Sequence, residues 1–91
     1  TCGADAGYLF SGSEVLLGQV HLDEERIKST VGCGDALMGG FIAAQLRGRS
    51  IRDSYHYALA VATAAAVDVV PGHFSQMVVD EMLGETSVEK I

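Results

Sequence analysis

Ser29-Thr30-Val31-Gly32-Cys33-Gly34-Asp35 is the stretch from which the rest of the chain is read. Before it, Ile27, Ser29 and Val31 alternate with Arg26, Lys28 and Thr30. That period of two predicts a strand over 26–31. After it, the pattern from Ala36 to Leu46 is helical. Two glycines therefore bracket one small residue between a strand and a helix. Glycine allows positive φ and close approach of a ligand to the backbone. Successive N–H groups at the positive end of a helix dipole form an anion nest. Phosphate is the usual occupant of such a nest. An aspartate there repels an anion, but it makes sense as a base beside a reacting phosphate. The same spacing also suits a plain turn capped by Asp35, and spacing alone leaves the two readings level. Other phosphate motifs fail. No GxxxxGK[ST] is present, and Leu37 stands where the third glycine of GxGxxG belongs.

Upstream, Tyr8-Leu9-Phe10 and Val15 to Val20 flank Ser11-Gly12-Ser13, which predicts a hairpin. His21 to Glu25 reads as an acidic loop. Downstream, the first helix carries a face of small residues: Ala36, Gly39, Gly40, Ala43 and Ala44. Each interior glycine costs about 1 kcal/mol against alanine. Such a cost implies a neighbour close enough to exclude Cβ atoms. Gly48 is expected to end this helix. Ser50, with Asp53 three residues on, caps a second one. Its apolar stripe is Ile51, Tyr55, Leu59, Ala62 and Ala66. Pro71-Gly72 ends the Val69-Val70 segment. Phe74, Ser75 and Val79 suit a staple around the start of a third helix, which runs to Leu83 and stops at Gly84. The tail from Thr86 to Ile91 reads as a last short strand.

Ninety-one residues make one small domain at most and exclude a large cleft closed between two domains. The chain is 48% hydrophobic, which argues against disorder, and that content rests largely on alanine and valine. Small apolar residues at this density suggest the interior of something larger. The missing initiator methionine fits an excised piece. Twelve acidic residues oppose six basic ones, a net charge of −6. Phosphate-backbone binding needs many lysines and arginines, so nucleic acid is a poor partner. The longest apolar run, Ala58 to Val67, is about half a bilayer span. Thr1 to Phe10 lacks the features of a signal peptide. Cys2 and Cys33 have neither metal-ligand nor CxxC spacing, so a reducing cytoplasm is the default. His21, His56 and His73 do not share a helix face at ligand spacing, and His56 is expected to pack or to lie at the surface. Asp23-Glu24-Glu25 reads as a solvated loop, and Asp80, Glu81 and Glu85 as the wet side of the third helix. No metal ligand is assigned. Met77 and Met82 are expected in the core.

Ser29 to Ala36, followed by Gly40-Phe41, closely resembles the [DN]-T-x-G-[AS]-G-D signature of the ribokinase-like (PfkB) sugar kinases. Thr1-Cys2-Gly3-Ala4-Asp5 resembles that family's T-L-G-A-[DE] turn. Val61 to Ala66 with Pro71-Gly72 resembles its alanine-rich helix and Pro-Gly loop. The Thr-Val-Gly form looks most like the phosphosugar branch, that of 1-phosphofructokinase and tagatose-6-phosphate kinase. Ser29 departs from the usual Asp or Asn, Cys33 from Ala or Ser, and Ala6-Gly7 inverts the usual order.

The resemblance implies an α/β fold, a ribokinase-like three-layer sandwich with a mostly parallel central sheet. Residues 1–91 would be its C-terminal nucleotide-binding and catalytic portion: a hairpin, the anion-hole strand and about three helices. It implies ATP-dependent phosphoryl transfer to a hydroxyl of a sugar or sugar phosphate. Asp35 matches the catalytic base. Gly32, Cys33 and Gly34 match the anion hole. Thr1, Gly3, Ala62, Ala65, Ala66, Pro71 and Gly72 match nucleotide-binding positions. Mg²⁺ is implied, with its ligands mostly outside this stretch, and some members hold a monovalent cation near the Pro-Gly loop. The remainder of a kinase chain is the implied partner, a homodimer is compatible, and the isolated stretch is expected to be inactive. Outside that class stand a non-catalytic nucleotide-binding module and a self-associating structural fragment.

Overall fold

A computed structural model describes residues 7–21, 25, 33–67 and 75–91. The strand expected over 26–31 lies outside them, as do Thr1, Gly3, Gly32, Pro71 and Gly72. The elements run β1 (Gly7–Ser11), β2 (Glu14–Val20), α1 (Cys33–Leu46), α2 (Ile51–Val67), α3 (Gln76–Glu85) and β3 (Thr86–Lys90).

The expected hairpin is present, with Ser11 opposite Glu14 and a two-residue turn. Gly12 has φ +58°, and among the described residues no non-glycine has positive φ. Positive φ at the first turn position alone is the II′ pattern, which follows the twist of the strands. The tail strand β3 pairs antiparallel with β2, giving the order β1-β2-β3. Among the described residues the sheet is thus wholly antiparallel. Its two faces differ. Leu16 and Val88 are buried under α2, whereas Tyr8 and Phe10 are exposed on the other face.

The centre of the molecule is α2, which touches α1, α3, β2 and β3. The expected stripe understates it: burial runs unbroken from Ala58 to Ala66. An all-round apolar helix belongs inside a protein, not at its surface. One side of α2 joins Tyr55 and Leu59 to Leu16 and Val88 of the sheet. The other joins Ala60, Val61 and Ala64 to Val79 and Met82 of α3. Polar ties lock these contacts. Arg52 donates from Nε and Nη2 to the Val88 carbonyl at 3.2 and 3.0 Å. His56 Nε2 donates to the carbonyls of Leu83 and Thr86, both at 3.0 Å. Of the two places expected for His56, packing or surface, the half-buried ring takes the first.

Several boundaries and positions differ from expectation. Helix α1 starts at Cys33, three residues before Ala36, so Gly34 and Asp35 lie inside its first turn. Gly84 does not stop α3, which continues to Glu85; Thr86, with φ −128°, ends it. Its last carbonyls find tertiary donors instead of a left-handed glycine. His21 N–H reaches Glu85 O at 2.7 Å, Thr86 Oγ1 reaches Met82 O at 2.9 Å, and His56 takes Leu83 O. Met82 is fully buried, but Met77 is 81% exposed. It sits in the first turn of α3, away from the Val79 and Met82 face. The caps at Ser50 and Ser75 are as expected, accepting from Asp53 N–H and Val78 N–H. Gly48, at φ +78°, closes α1 with Arg49 N–H on Ala44 O and Gly48 N–H on Gln45 O. That pair of bonds is a Schellman motif.

Gly18 of β2 faces α2 so closely that a Cβ there would lie 2.9 Å from both Cε2 and the hydroxyl of Tyr55, and 2.5 Å from Leu59 Cδ1. Both side chains are held in the core. Gly18→Ala is therefore expected to destabilise the protein by about 1–3 kcal/mol, the range for overpacking. Denaturant midpoints measure it, and an unchanged midpoint would contradict the packing described.

Candidate active site at the start of α1

The first four N–H groups of an α-helix have no intrahelical acceptor. Starting α1 at Cys33 assigns the N–H groups of Cys33, Gly34 and Asp35 to that set. Gly34 and Asp35 are both exposed. Among the described residues, a Cβ at Gly34 would meet nothing within 4 Å. The helix start thus presents donors, the positive end of a dipole and one carboxylate together. Donors in this arrangement suit a phosphate. Among the described residues no group of three or more His, Cys, Asp or Glu could hold a metal.

Helices α1 and α2 run antiparallel against each other. Gln45 near the end of α1 donates to Ser54 Oγ near the start of α2, at 2.7 Å. Ala36, next to Asp35, packs against the cluster that includes Val61 and Ala64. The start of α1 therefore lies beside the C-terminal half of α2, where Ala62, Ala65 and Ala66 are found. Those three are 6%, 1% and 1% exposed. They are packed by protein, so they back the site rather than present a free surface.

A pocket of about 220 Å³ opens beside Gly34, between Leu9 of β1, Leu37 and Phe41 of α1, and Tyr55 and Ala58 of α2. Its lining is apolar and unsuited to phosphate, so the anion-competent surface is the helix start and not this pocket. Sequence reasoning placed Tyr55 only on an apolar stripe. Its position in the pocket wall depends on how α1 crosses α2, which no local pattern reveals.

The profile of the pfkB family carbohydrate kinases matches residues 1–70. The chain belongs to the pfkB family. It is 40% identical to a 1-phosphofructokinase of Haloferax volcanii over 87 residues, which is 96% of this chain and 27% of that protein. A Staphylococcus aureus protein provisionally named a phosphofructokinase superposes with TM-score 0.88 at 20% identity, over 100% of this chain and 28% of that one. A carbohydrate kinase from Agrobacterium tumefaciens gives TM-score 0.71 at 27% identity, over 98% of this chain and 30% of that one. The fold is thus the α/β fold of these pfkB-type sugar kinases, as expected from the signature residues. The chain spans about a quarter of the length of the relatives it matches.

Burial pushes the Tyr55 phenol above its ordinary value of 10.0 by disfavouring the phenolate. The unfolded tyrosine ionises near pH 10, and the folded one only above that. Its stabilising contribution is therefore complete below pH 10 and is lost as pH rises through the folded value. Tyr55→Phe is expected to flatten the fall in stability between about pH 9 and about pH 11. Urea unfolding at both values checks this, and an undiminished fall would contradict it.

Proposed function

We propose that residues 1–91 are the C-terminal nucleotide-binding and catalytic portion of an ATP-dependent kinase acting on a hydroxyl of a sugar or sugar phosphate. The observation that carries the reading is the placement of Asp35 and Gly34, exposed together in the first turn of α1. The likeness to the Haloferax volcanii 1-phosphofructokinase favours a sugar phosphate as acceptor.

Phosphoryl transfer is largely a matter of positioning and charge stabilisation. ATP, with Mg²⁺, supplies the transferable phosphoryl group when bound. The N–H groups of Cys33 and Gly34, with Gly32, form the anion hole. Preorganised donors of this kind stabilise charge as it develops on the transferring group. Asp35 takes the proton from the acceptor hydroxyl, the oxygen of which bonds to the γ-phosphorus as the bond from that phosphorus to the β–γ bridging oxygen breaks and ADP leaves. Thr1 and Gly3 contact the nucleotide phosphates, and Pro71-Gly72 borders the base. Ala62, Ala65 and Ala66 form the packed wall behind it. Mg²⁺ ligands and most sugar contacts belong to the remainder of the kinase chain. Among the described residues no helix is long and apolar enough to cross a membrane. The cytoplasm is the proposed location.

A second reading concerns the 91 residues by themselves. Phe10, Met38, Ile42 and Leu46 are 74%, 65%, 51% and 84% exposed. That much bare apolar surface favours self-association of the isolated stretch, without turnover. Sedimentation of residues 1–91 beside a kinase assay separates the readings: a catalytically competent monomer would exclude this second one.

In the intact kinase, Asp35→Asn is expected to lower kcat by at least about 10² with little change in nucleotide affinity. Steady-state kinetics with a nucleotide titration checks this, and near-normal turnover would remove Asp35 as the base.

A further inference from the structure

Gly39 and Gly40 are adjacent in α1, yet their surroundings are opposite. Among the described residues, a Cβ at Gly39 would meet nothing within 4 Å. A Cβ at Gly40 would lie 3.2 Å from Ala58 Cα, and 3.2 Å from both Cβ and Cγ2 of Val61. Ordinary carbon contacts lie at about 3.5–4.0 Å. At Gly40, therefore, the two helices are too close for a Cβ to enter without a shift of a few tenths of an ångström.

That contact sits on a lever. The C-terminal end of α1 is fixed by the Gln45 to Ser54 hydrogen bond and by the Schellman turn at Gly48. Gly40 is five residues from Gln45, about 7.5 Å along the axis at 1.5 Å per residue. Asp35 is ten residues away, about 15 Å. A displacement at Gly40 is therefore roughly doubled at Asp35. The displacement falls on α1 because α2 cannot yield. Ala58 is fully buried, and α2 is tied to β3 through Arg52 and to the α3–β3 junction through His56.

We infer that Gly40 is a positioning residue. Its contact with Ala58 and Val61 sets where the first turn of α1 delivers Asp35. This rests on the proposal that Asp35 is the base. An added methyl at position 40 needs a few tenths of an ångström, and the lever turns that into a larger shift at the carboxylate. Misplacement by 1 Å can cost about 10² in rate.

The test is kinetic and uses the intact kinase with ATP and fructose 1-phosphate or tagatose 6-phosphate, whichever it turns over. Gly40→Ala is expected to lower kcat about three- to tenfold while KM for ATP and the thermal midpoint stay near wild type. Gly39→Ala, with the same change in helix propensity, should keep wild-type kcat. Val61→Ala alone should lower kcat by a smaller factor, because α1 settles inward. The Gly40→Ala/Val61→Ala pair should recover part of the loss, because the second change removes the Val61 Cγ2 contact while those with Ala58 Cα and Val61 Cβ stay. Equal kcat for Gly40→Ala and Gly39→Ala overturns the inference, and so does a loss that the second change does not reduce at all. If Gly40→Ala does not fold, Val61→Ala decides: unchanged kcat overturns the inference. Asp35→Asn assayed in parallel keeps the two claims apart. Full activity of that variant defeats the base, whereas its inactivity beside normal Gly40→Ala defeats only the lever.

Discussion

The structure depends on one helix having no free side. From Ala58 to Ala66 every residue of α2 is buried, so sheet, α1 and α3 all pack on the same cylinder. Neighbours on that many sides can be accommodated only if side chains at the contacts are small. The alanines of α2 meet this condition from within. Gly18, Gly40 and Ala44 meet it from the partners. The glycine cost in helix propensity inside α1 is then a consequence of packing, offset by close contact with α2. Larger residues, Leu16, Tyr55, Leu59, Val79 and Met82, fill the wider gaps toward the sheet and α3.

This constraint reaches the candidate site. Asp35 and Gly34 lie at the free end of a helix whose other end is pinned to the start of α2. The first-turn N–H groups and the carboxylate are thus held by a rigid element, although Gly34 and Asp35 are exposed themselves. Exposure at the chemistry and rigidity behind it are compatible because α1 is long enough to carry one at each end. The pocket beside Gly34 belongs to the packing side of this arrangement, as its apolar lining shows.

The features legible in the sequence were those set by local chemistry. The Gly12-Ser13 turn, the Ser50 and Ser75 caps and the Gly48 terminus each need a particular residue type at one place, whatever surrounds them. The signature through Asp35 was legible for the same reason, and it led to the family. What the sequence hid depends on partners. Gly39 and Gly40 look equivalent in a helical pattern, but they point about 100° apart and only one meets α2. Gly84 looked like a helix stop until tertiary donors were seen to satisfy the carbonyls around it. Met77 differs from Met82 only in which way its side of α3 faces.

The central claim is that the first turn of α1 holds the transferring phosphoryl group and presents its base. The structure of the intact kinase with a non-hydrolysable ATP analogue and its sugar phosphate tests it most directly. The account predicts the terminal phosphate within hydrogen-bond distance of the Cys33 and Gly34 N–H groups, with the Asp35 carboxylate roughly 2.6–3.2 Å from the acceptor hydroxyl. A terminal phosphate bound elsewhere, for example at the Arg47–Arg49 turn, with Asp35 facing bulk water, would contradict it.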